Sequence, residues 1–210
     1  GNQEFWSLEF IVTKDTLIPR PDSEILVEAV LATIVDKMAP LNILDLGTGS
    51  GCLLLALLSE LPHTLGVGVD ISPTACKIAK QNGKNLGLHN RAKFYQGDWL
   101  NGIENTFDII VTNPPYIADS QILLLERDVK DFEPHIALSG GLDGLVAYKK
   151  ILKQCTKHLN IGGLLAVEIG VNQLSDIQII LANNKFKLIS IHSDFGNIDR
   201  CILATHKKSS

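Results

Sequence analysis

The sequence predicts an α/β domain: a seven-stranded, mostly parallel sheet with one antiparallel strand near the C-terminus, preceded by a short β-hairpin. Three features carry that prediction. From about residue 39 to residue 210, short apolar runs alternate with helical stretches, as in a parallel sheet covered on both faces. A glycine-rich turn follows the first of these runs directly and opens a helix. The last two apolar runs are separated only by Asp194–Asp199, too short for a crossover helix, so they pair antiparallel.

The elements follow in order. Glu9–Leu17 reads as a hairpin and Asp22–Lys37 as an amphipathic helix, so that residues 1–38 form a unit packed on a core domain of residues 39–210. Leu41–Leu46 is a buried strand and Gly51–Glu60 the helix after it. Leu65–Asp70 is the second strand, followed by a helix from Pro73 to Asn85, with Pro73 suited to a first turn. Ala92–Gln96 and Phe107–Thr112 are strands three and four. A helix near Leu145–His158 leads into strand five, Leu164–Ile169. A helix near Gln173–Asn183 precedes the closing strands at Lys187–His192 and Cys201–Thr205. Five parallel strands ending in one reversed hairpin is the arrangement of Rossmann-like class I methyltransferases.

Composition narrows the functional classes. The 210 residues are 45% hydrophobic and 20% charged, as in an ordinary globular domain. A net charge of −4 provides no global positive field for nucleic acid or an anionic membrane. The four cysteines, Cys52, Cys76, Cys155 and Cys201, form no CxxC pair, and the six histidines form no ligand pair, so no metal is expected. The longest apolar run, Cys52–Leu58, falls far short of the roughly 20 residues that span a bilayer. The expectation is a cytoplasmic, monomeric protein with reduced thiols, bound stably to neither nucleic acid nor membrane.

In an open parallel sheet, ligands bind beyond the carboxyl ends of the strands. Strand one ends in Asp45-Leu46-Gly47-Thr48-Gly49-Ser50-Gly51, and glycines at alternate positions let the backbone turn sharply and a ligand approach closely. This is GxGxG, with Cys52 where a dinucleotide fingerprint would need its third glycine. Asp70, ending strand two, is placed to accept both hydroxyls of a ribose. Asp45 suits an ammonium group better than a pyrophosphate, which fits S-adenosylmethionine, with its amino-acid tail and no phosphate. Gly97-Asp98-Trp99 after strand three offers a carboxylate for the adenine amino group and a ring to pack on the base.

Asn113-Pro114-Pro115-Tyr116 follows strand four and is the most specific signal in the chain. Two prolines hold the backbone in a rigid extended turn, presenting the Asn113 side chain and the Pro114 carbonyl as acceptors. An amide nitrogen is a poor nucleophile because its lone pair is delocalised, with a rotation barrier of roughly 18–20 kcal/mol. Two acceptors gripping both NH₂ hydrogens stabilise charge developing on nitrogen and aim it at the methyl group. Tyr116 fills the remaining wall. The same grip fits any planar exocyclic NH₂, adenine included, so the motif specifies amino-group methylation without choosing protein over nucleic acid.

With those residues in view, the chain resembles the peptide chain release factor N5-glutamine methyltransferases. The matching segments are Glu4-Phe5-Trp6 with Phe10, Leu17-Ile18-Pro19-Arg20-Pro21-Asp22-Ser23-Glu24, DLGTGSG at 45–51, GDW at 97–99, NPPYI at 113–117, Ala137–Leu145 and Val167-Glu168-Ile169-Gly170. They occur in order from about residue 4 to 205. The resemblance implies that Gly47–Gly51, Asp70 and Trp99 contact the cofactor and that Asn113, Pro114, Pro115 and Tyr116 hold the substrate glutamine. It implies a PRPDSE loop closed over the site, with Ser23 where the family more often has threonine. The substrate it implies is the glutamine of the Gly-Gly-Gln loop in class I release factors. The family's N-terminal helical domain has no counterpart here, so a catalytic domain without it is expected.

Other readings compete. An adenine-N6 methyltransferase of nucleic acid needs phosphate contacts and base flipping, and only four arginines (Arg20, Arg91, Arg127 and Arg200) are available. A glutamine methyltransferase of a ribosomal protein shares the NPPY motif. A regulatory cofactor-binding module has no use for two aligned acceptors, and an NAD-dependent reductase lacks its third glycine. Lys149, Lys150 and Lys153 read as a solvated helix face, Glu168 reads equally as structural or functional, and His135 belongs to a loop over the site without a catalytic role.

Overall fold

The computed structural model describes residues 1–126 and 133–206; Arg127 lies outside them. β1 (Asn2–Phe5) and β2 (Leu8–Ile11) form an antiparallel hairpin, turning at Trp6 and Ser7, both at positive φ (54° and 56°). A two-residue turn of this handedness matches the right-handed twist of its strands. The hairpin therefore lies earlier than the expected Glu9–Leu17. Beyond Ile11 the backbone bonds locally: the Thr13 amide donates to Thr16 Oγ1 and the Asp15 amide to Thr13 Oγ1, each at 3.2 Å. Those bonds favour a turn over strand pairing.

The first helix is also shorter than the expected Asp22–Lys37. A 3₁₀ turn, Pro21–Ser23, leads into α1 (Glu24–Thr33), and Ile34 is already extended at φ −87°, ψ 109°. Thr33, Ile34 and Val35 are β-branched in succession, which disfavours another helical turn. Asp36 Oδ1 instead accepts from the Met38 amide at 2.9 Å.

The main sheet has the order β5-β4-β3-β6-β7-β9-β8. β3 (Asn42–Leu46), β4 (Leu65–Asp70), β5 (Ala92–Gln96), β6 (Phe107–Thr112) and β7 (Leu159–Glu168) are parallel. β9 (Asp199–His206) runs antiparallel to both β7 and β8 (Phe186–Ser193). This is the predicted seven-stranded sheet. Strand β7 alone starts well before its expected position, because Leu159 pairs with Phe107 before regular pairing resumes at Ile109 and Leu164.

On one face lie the hairpin, α1, α2 (Cys52–Glu60) and α3 (Pro73–Asn85); on the other lie α4 (Val146–His158) and α5 (Leu174–Asn183). Ile43, Leu44 and Leu46 of β3 are fully buried, which is why this strand reads as an apolar segment broken only by the buried Asp45. Close approach across β4 depends on missing side chains. A Cβ at Gly68 would lie 2.5 Å from Phe94 Cδ1 and 2.7 Å from Thr48 Oγ1. Gly68→Ala is expected to lower stability by about 1–3 kcal/mol through overpacking, displacing the loop that carries Thr48. A urea midpoint equal to that of the unmodified chain would show that Phe94 yields freely.

Candidate functional site

A cavity of about 430 Å³ opens beyond the carboxyl ends of β3, β4, β5 and β6. It sits where the strand order reverses, between β3 leading to β4 and β6 leading to β7. Its size suits a small organic ligand. Of the residues singled out in the sequence, Gly47, Gly49, Asp70, Asp98, Trp99, Asn113 and Pro115 line its wall. Asp45, Thr48, Ser50, Gly51, Pro114 and Tyr116 stand behind it.

The glycine loop is shaped by its neighbours. Gly47 adopts φ 74° beneath Trp99, where a Cβ would lie 3.3 Å from the ring. Trp99 is itself held at φ 56°, a backbone region costly for a bulky residue. Asp70 ties the loop to β4: its Oδ2 accepts from the Gly49 amide and its Oδ1 from the Ser72 amide, both at 2.9 Å. Each oxygen keeps a lone pair for a further donor. Burial raises the Asp70 carboxyl above its ordinary value, and the amides of Ser72 and Gly49 pull it back down.

Asp45 is placed differently from a residue that touches a ligand. It is fully buried, its Oδ2 accepts from Thr48 Oγ1 at 2.6 Å, and its Oδ1 has no partner among the described residues. Thr48 thus supports the loop from below, and the Ser50 carbonyl does so by accepting from Asn82 Nδ2 at 2.9 Å. Gly51 is the residue from which α2 starts.

Asp98 and Trp99 share the wall with Lys150, whose Nζ lies 2.6 Å from Asp98 Oδ2. Lys150 is therefore not part of a purely solvated helix face: α4 carries it over the cavity mouth. Lys149, one residue away, points to Asp143 at 2.6 Å in solvent, as the helix periodicity dictates. The His135 segment does overhang the site, since Pro134, Ile136 and Ala137 line the cavity.

Beyond β6, the Asn113–Tyr116 turn is braced by backbone. The Ile117 amide donates to the Leu138 carbonyl at 3.0 Å and the Gly140 amide to the Ile117 carbonyl at 2.9 Å. Gly140 lies so close to this turn that a Cβ there would come within 2.8 Å of the Pro115 carbonyl. Gln173 Nε2 donates to the Tyr116 carbonyl at 2.9 Å. No described residue donates to the Pro114 carbonyl. Asn113 Nδ2 donates to Ser23 Oγ at 3.2 Å, and Ser23 Oγ donates to Glu168 Oε2 at 2.6 Å. Burial pushes the Tyr116 hydroxyl far above its ordinary value, so it stays protonated.

The 19–24 segment is fastened at successive residues. Arg20 pairs with Glu133 at 2.5 Å, Asp22 with Arg200 at 3.1 Å, Ser23 with Glu168, and Glu24 Oε1 accepts from the Trp6 amide at 2.7 Å. Immediately before it, Asp15, Thr16 and Leu17 line the cavity. Glu168 and Gln173 are the positions that sequence reasoning undervalued. The only sequence signal for Glu168 was the apolar run Leu164–Val167 that it closes, and nothing in the residue order marked Gln173.

Two buried carboxyls give the fold a pH dependence. Burial is the first cause in each: Asp45 rises from 3.8 and Glu168 from 4.5, both to about 7, with hydrogen bonds from Thr48 and Ser23 opposing the rise. Between those limits the native state binds more protons than the unfolded chain. Their contribution to stability is full below the unfolded values and is lost as pH rises through about 7. Urea unfolding is expected to show stability lower by a few kcal/mol, in order of magnitude, at pH ~8 than at pH ~5. Asp45→Asn should flatten that slope; an unchanged slope would place the titration elsewhere.

Comparison with known proteins adds an independent line. Residues 22–190 match the family model described as the methyltransferase small domain. The chain is 44% identical over 207 residues to the release factor glutamine methyltransferase of Rhodospirillum rubrum, covering 99% of this chain but 63% of that protein. It is 40% identical over 204 residues to that of Caulobacter vibrioides, covering 97% and 70% respectively. For Clostridium acetobutylicum the figures are 44% over 204 residues, covering 96% and 71%. The chain thus spans about two thirds of the length of these relatives. Among solved structures, a ribosomal protein L11 methylase from Lactobacillus delbrueckii subsp. bulgaricus aligns at a TM-score of 0.69 and 20% identity, over 90% of this chain and 80% of that one. A methyltransferase from Pyrococcus furiosus aligns at 0.68 and 17%, over 94% and 88%. At such identities the likeness is one of fold.

Proposed function

Because this chain belongs to the methyltransferase small-domain family, and within it to the release factor glutamine methyltransferases, we propose that it methylates a glutamine side chain. The donor is S-adenosylmethionine, and the acceptor is the amide nitrogen of the glutamine in the Gly-Gly-Gln loop of class I peptide chain release factors. The observation that carries this reading is Asn113 on the cavity wall with its Nδ2 already engaged by Ser23. That engagement turns its Oδ1 outward, as an acceptor for an incoming N–H.

The residues fit the cofactor. The Asp70 carboxylate keeps free lone pairs on the cavity wall beside the open backbone of Gly47 and Gly49, which suits a ribose with two hydroxyls. Trp99 flanks the same wall, next to Asp98 and Lys150, where a planar base can stack. In its ionised form Asp45, with one oxygen unpartnered among the described residues, gives the floor beneath the loop a negative bias that favours a cationic ligand, and such a ligand in turn favours that form. When bound, S-adenosylmethionine supplies a methyl group on a positively charged sulfur.

The remaining work belongs to the chain. Asn113 Oδ1 and the Pro114 carbonyl accept the two hydrogens of the substrate NH₂ and hold it planar and aimed. As nitrogen loses electron density to its new bond, the two acceptors stabilise the charge that develops on it. Pro115 keeps the turn rigid, and Tyr116 closes its outer side. Asp15, Thr16 and Leu17, in a turn closed by bonds between Thr13 and Thr16 just ahead of the Arg20–Glu133 and Asp22–Arg200 pairs, narrow the mouth and limit access of water. The acidic balance of −4 favours a protein partner over a polyphosphate. The same reading makes the protein a cytoplasmic monomer that meets its partner transiently.

The test offers radiolabelled S-adenosylmethionine with three acceptors in parallel: a class I release factor, its Gln→Ala loop variant, and adenine-rich duplex DNA. Label on the unmodified release factor alone is expected. Label on DNA instead would overturn the choice of partner while leaving the amino-group chemistry in place.

A further inference from the structure

A hydrogen-bonded chain runs from the end of β7 to the cavity wall: Glu168, Ser23, Asn113. Glu168 and Ser23 are buried, and neither lines the cavity. A serine hydroxyl carries one proton. Given to Glu168 Oε2 at 2.6 Å, that proton is not available to Asn113. Ser23 then offers Asn113 only lone pairs, so the Asn113 amide must present its NH₂ to Ser23 and its oxygen to the cavity.

We infer that Glu168 and Ser23 are positioning residues whose hydrogen-bond polarity selects which end of the Asn113 amide faces the methyl acceptor. The inference rests on Asn113 as the acceptor of the substrate N–H. An ionised Glu168 can only accept, which holds the chain in its productive sense. A protonated Glu168 carries a hydrogen that it can donate to Ser23 Oγ. The Ser23 hydrogen then turns to Asn113 Oδ1, the amide rotates by half a turn, and an NH₂ group meets the substrate NH₂. Two donors face one another, and the grip is lost.

The surroundings of Glu168 make the reversal accessible. The Ser23 hydroxyl, Arg200 on β9 and the Asn113 amide favour the anion, the Asn113 NH₂ reinforcing directly the polarity that Ser23 relays, whereas Asp22, in the 3₁₀ turn, disfavours it. The Tyr116 hydroxyl lies 3.5 Å from Oε1, the thiols of Cys201 on β9 and Cys52 on α2 feel its charge, and the Tyr148 hydroxyl of α4 donates to its backbone carbonyl at 3.0 Å. Burial outweighs the favourable partners and brings the carboxyl to about 7, where pH and a bound cation can both act on it.

The decisive measurement is the side-chain amide signal of Asn113 in ¹⁵N-labelled protein, identified by its loss in Asn113→Ala. Spectra are taken across two pH units either side of about 7. The signal is expected to titrate in the unmodified protein, to be flat in Glu168→Gln, to titrate with much smaller amplitude in Ser23→Ala, and to recover its amplitude in Ser23→Thr, which restores a hydroxyl. In turnover at saturating cofactor and acceptor, Ser23→Ala should reduce kcat ~10-fold, the worth of one hydrogen bond. Its Kd for cofactor should stay within about two-fold, since Ser23 lies outside the cofactor wall. A flat Asn113 signal in the unmodified protein, or undiminished kcat in Ser23→Ala, overturns the relay. The spectrum needs no acceptor: a titrating Asn113 amide in a protein that methylates no release factor supports the relay and counts only against the proposed substrate.

Discussion

Asn113→Ala is expected to reduce methyl transfer by about 10²–10³, the usual loss on removing one preorganised polar group at the reacting centre. The substitution deletes the side-chain acceptor of the proposed grip, which would leave the Pro114 carbonyl alone to hold one of two hydrogens. The backbone should not move, because the two prolines, the Gly140 amide and Gln173 hold the turn without help from the Asn113 side chain. Binding of cofactor should therefore change little. Steady-state turnover with calorimetry on the same sample separates the two quantities. Activity within a few-fold of the unmodified protein would remove Asn113 from the chemistry and, with it, the two-acceptor account.

Asp70→Ala should act on the opposite quantity. The carboxylate holds the Gly49 and Ser72 amides and keeps further lone pairs, which in the proposed reading accept two ribose hydroxyls. Each charge-assisted bond is worth about 1.5–3 kcal/mol, so losing the pair to ribose alone weakens cofactor affinity by roughly 10² or more. Freed Gly49 and Ser72 amides also loosen the loop, which adds to the loss. Turnover at saturating cofactor should fall far less than affinity. Calorimetry that returned an unaltered affinity would take Asp70 out of the ribose role.

Much of this was legible in the residue order, and the reason is local. Strands β3 and β6 are buried on both faces because helices cover both, and that burial writes short apolar segments, Ile43–Leu44 and Ile109–Val111, just ahead of the turns that carry the polar residues. The reversed final hairpin follows from a connection too short to cross over. The glycine loop and the Asn-Pro-Pro-Tyr turn are legible for the same reason: their backbone demands are met by glycine and proline within a few residues.

What misled was also local. The first hairpin turns at Trp6-Ser7, where no Gly or Asn marks the positive φ values, so nothing in the residue types announced it. The first helix ends at Thr33 through a competition between β-branched residues and amphipathic spacing, and spacing alone pointed to a longer helix.

The sequence by itself determined the class of fold and the strand ends beyond which the cavity opens, with Asp70, Trp99 and Asn113 on its wall. Each of those follows from contacts within one strand and its succeeding turn. Tertiary structure alone decided that Asp45 lies behind the glycine loop, that Lys150 caps Asp98 at the cavity mouth, and that Glu168 reaches Asn113 through Ser23. These partners are separated by 52, 145 and 90 positions in the chain. No periodicity or spacing rule reaches that far; the packing of the Val146–His158 helix beside the turn after β5 joins Lys150 to Asp98, and that of α1 and its preceding turn against β7 joins Ser23 to Glu168.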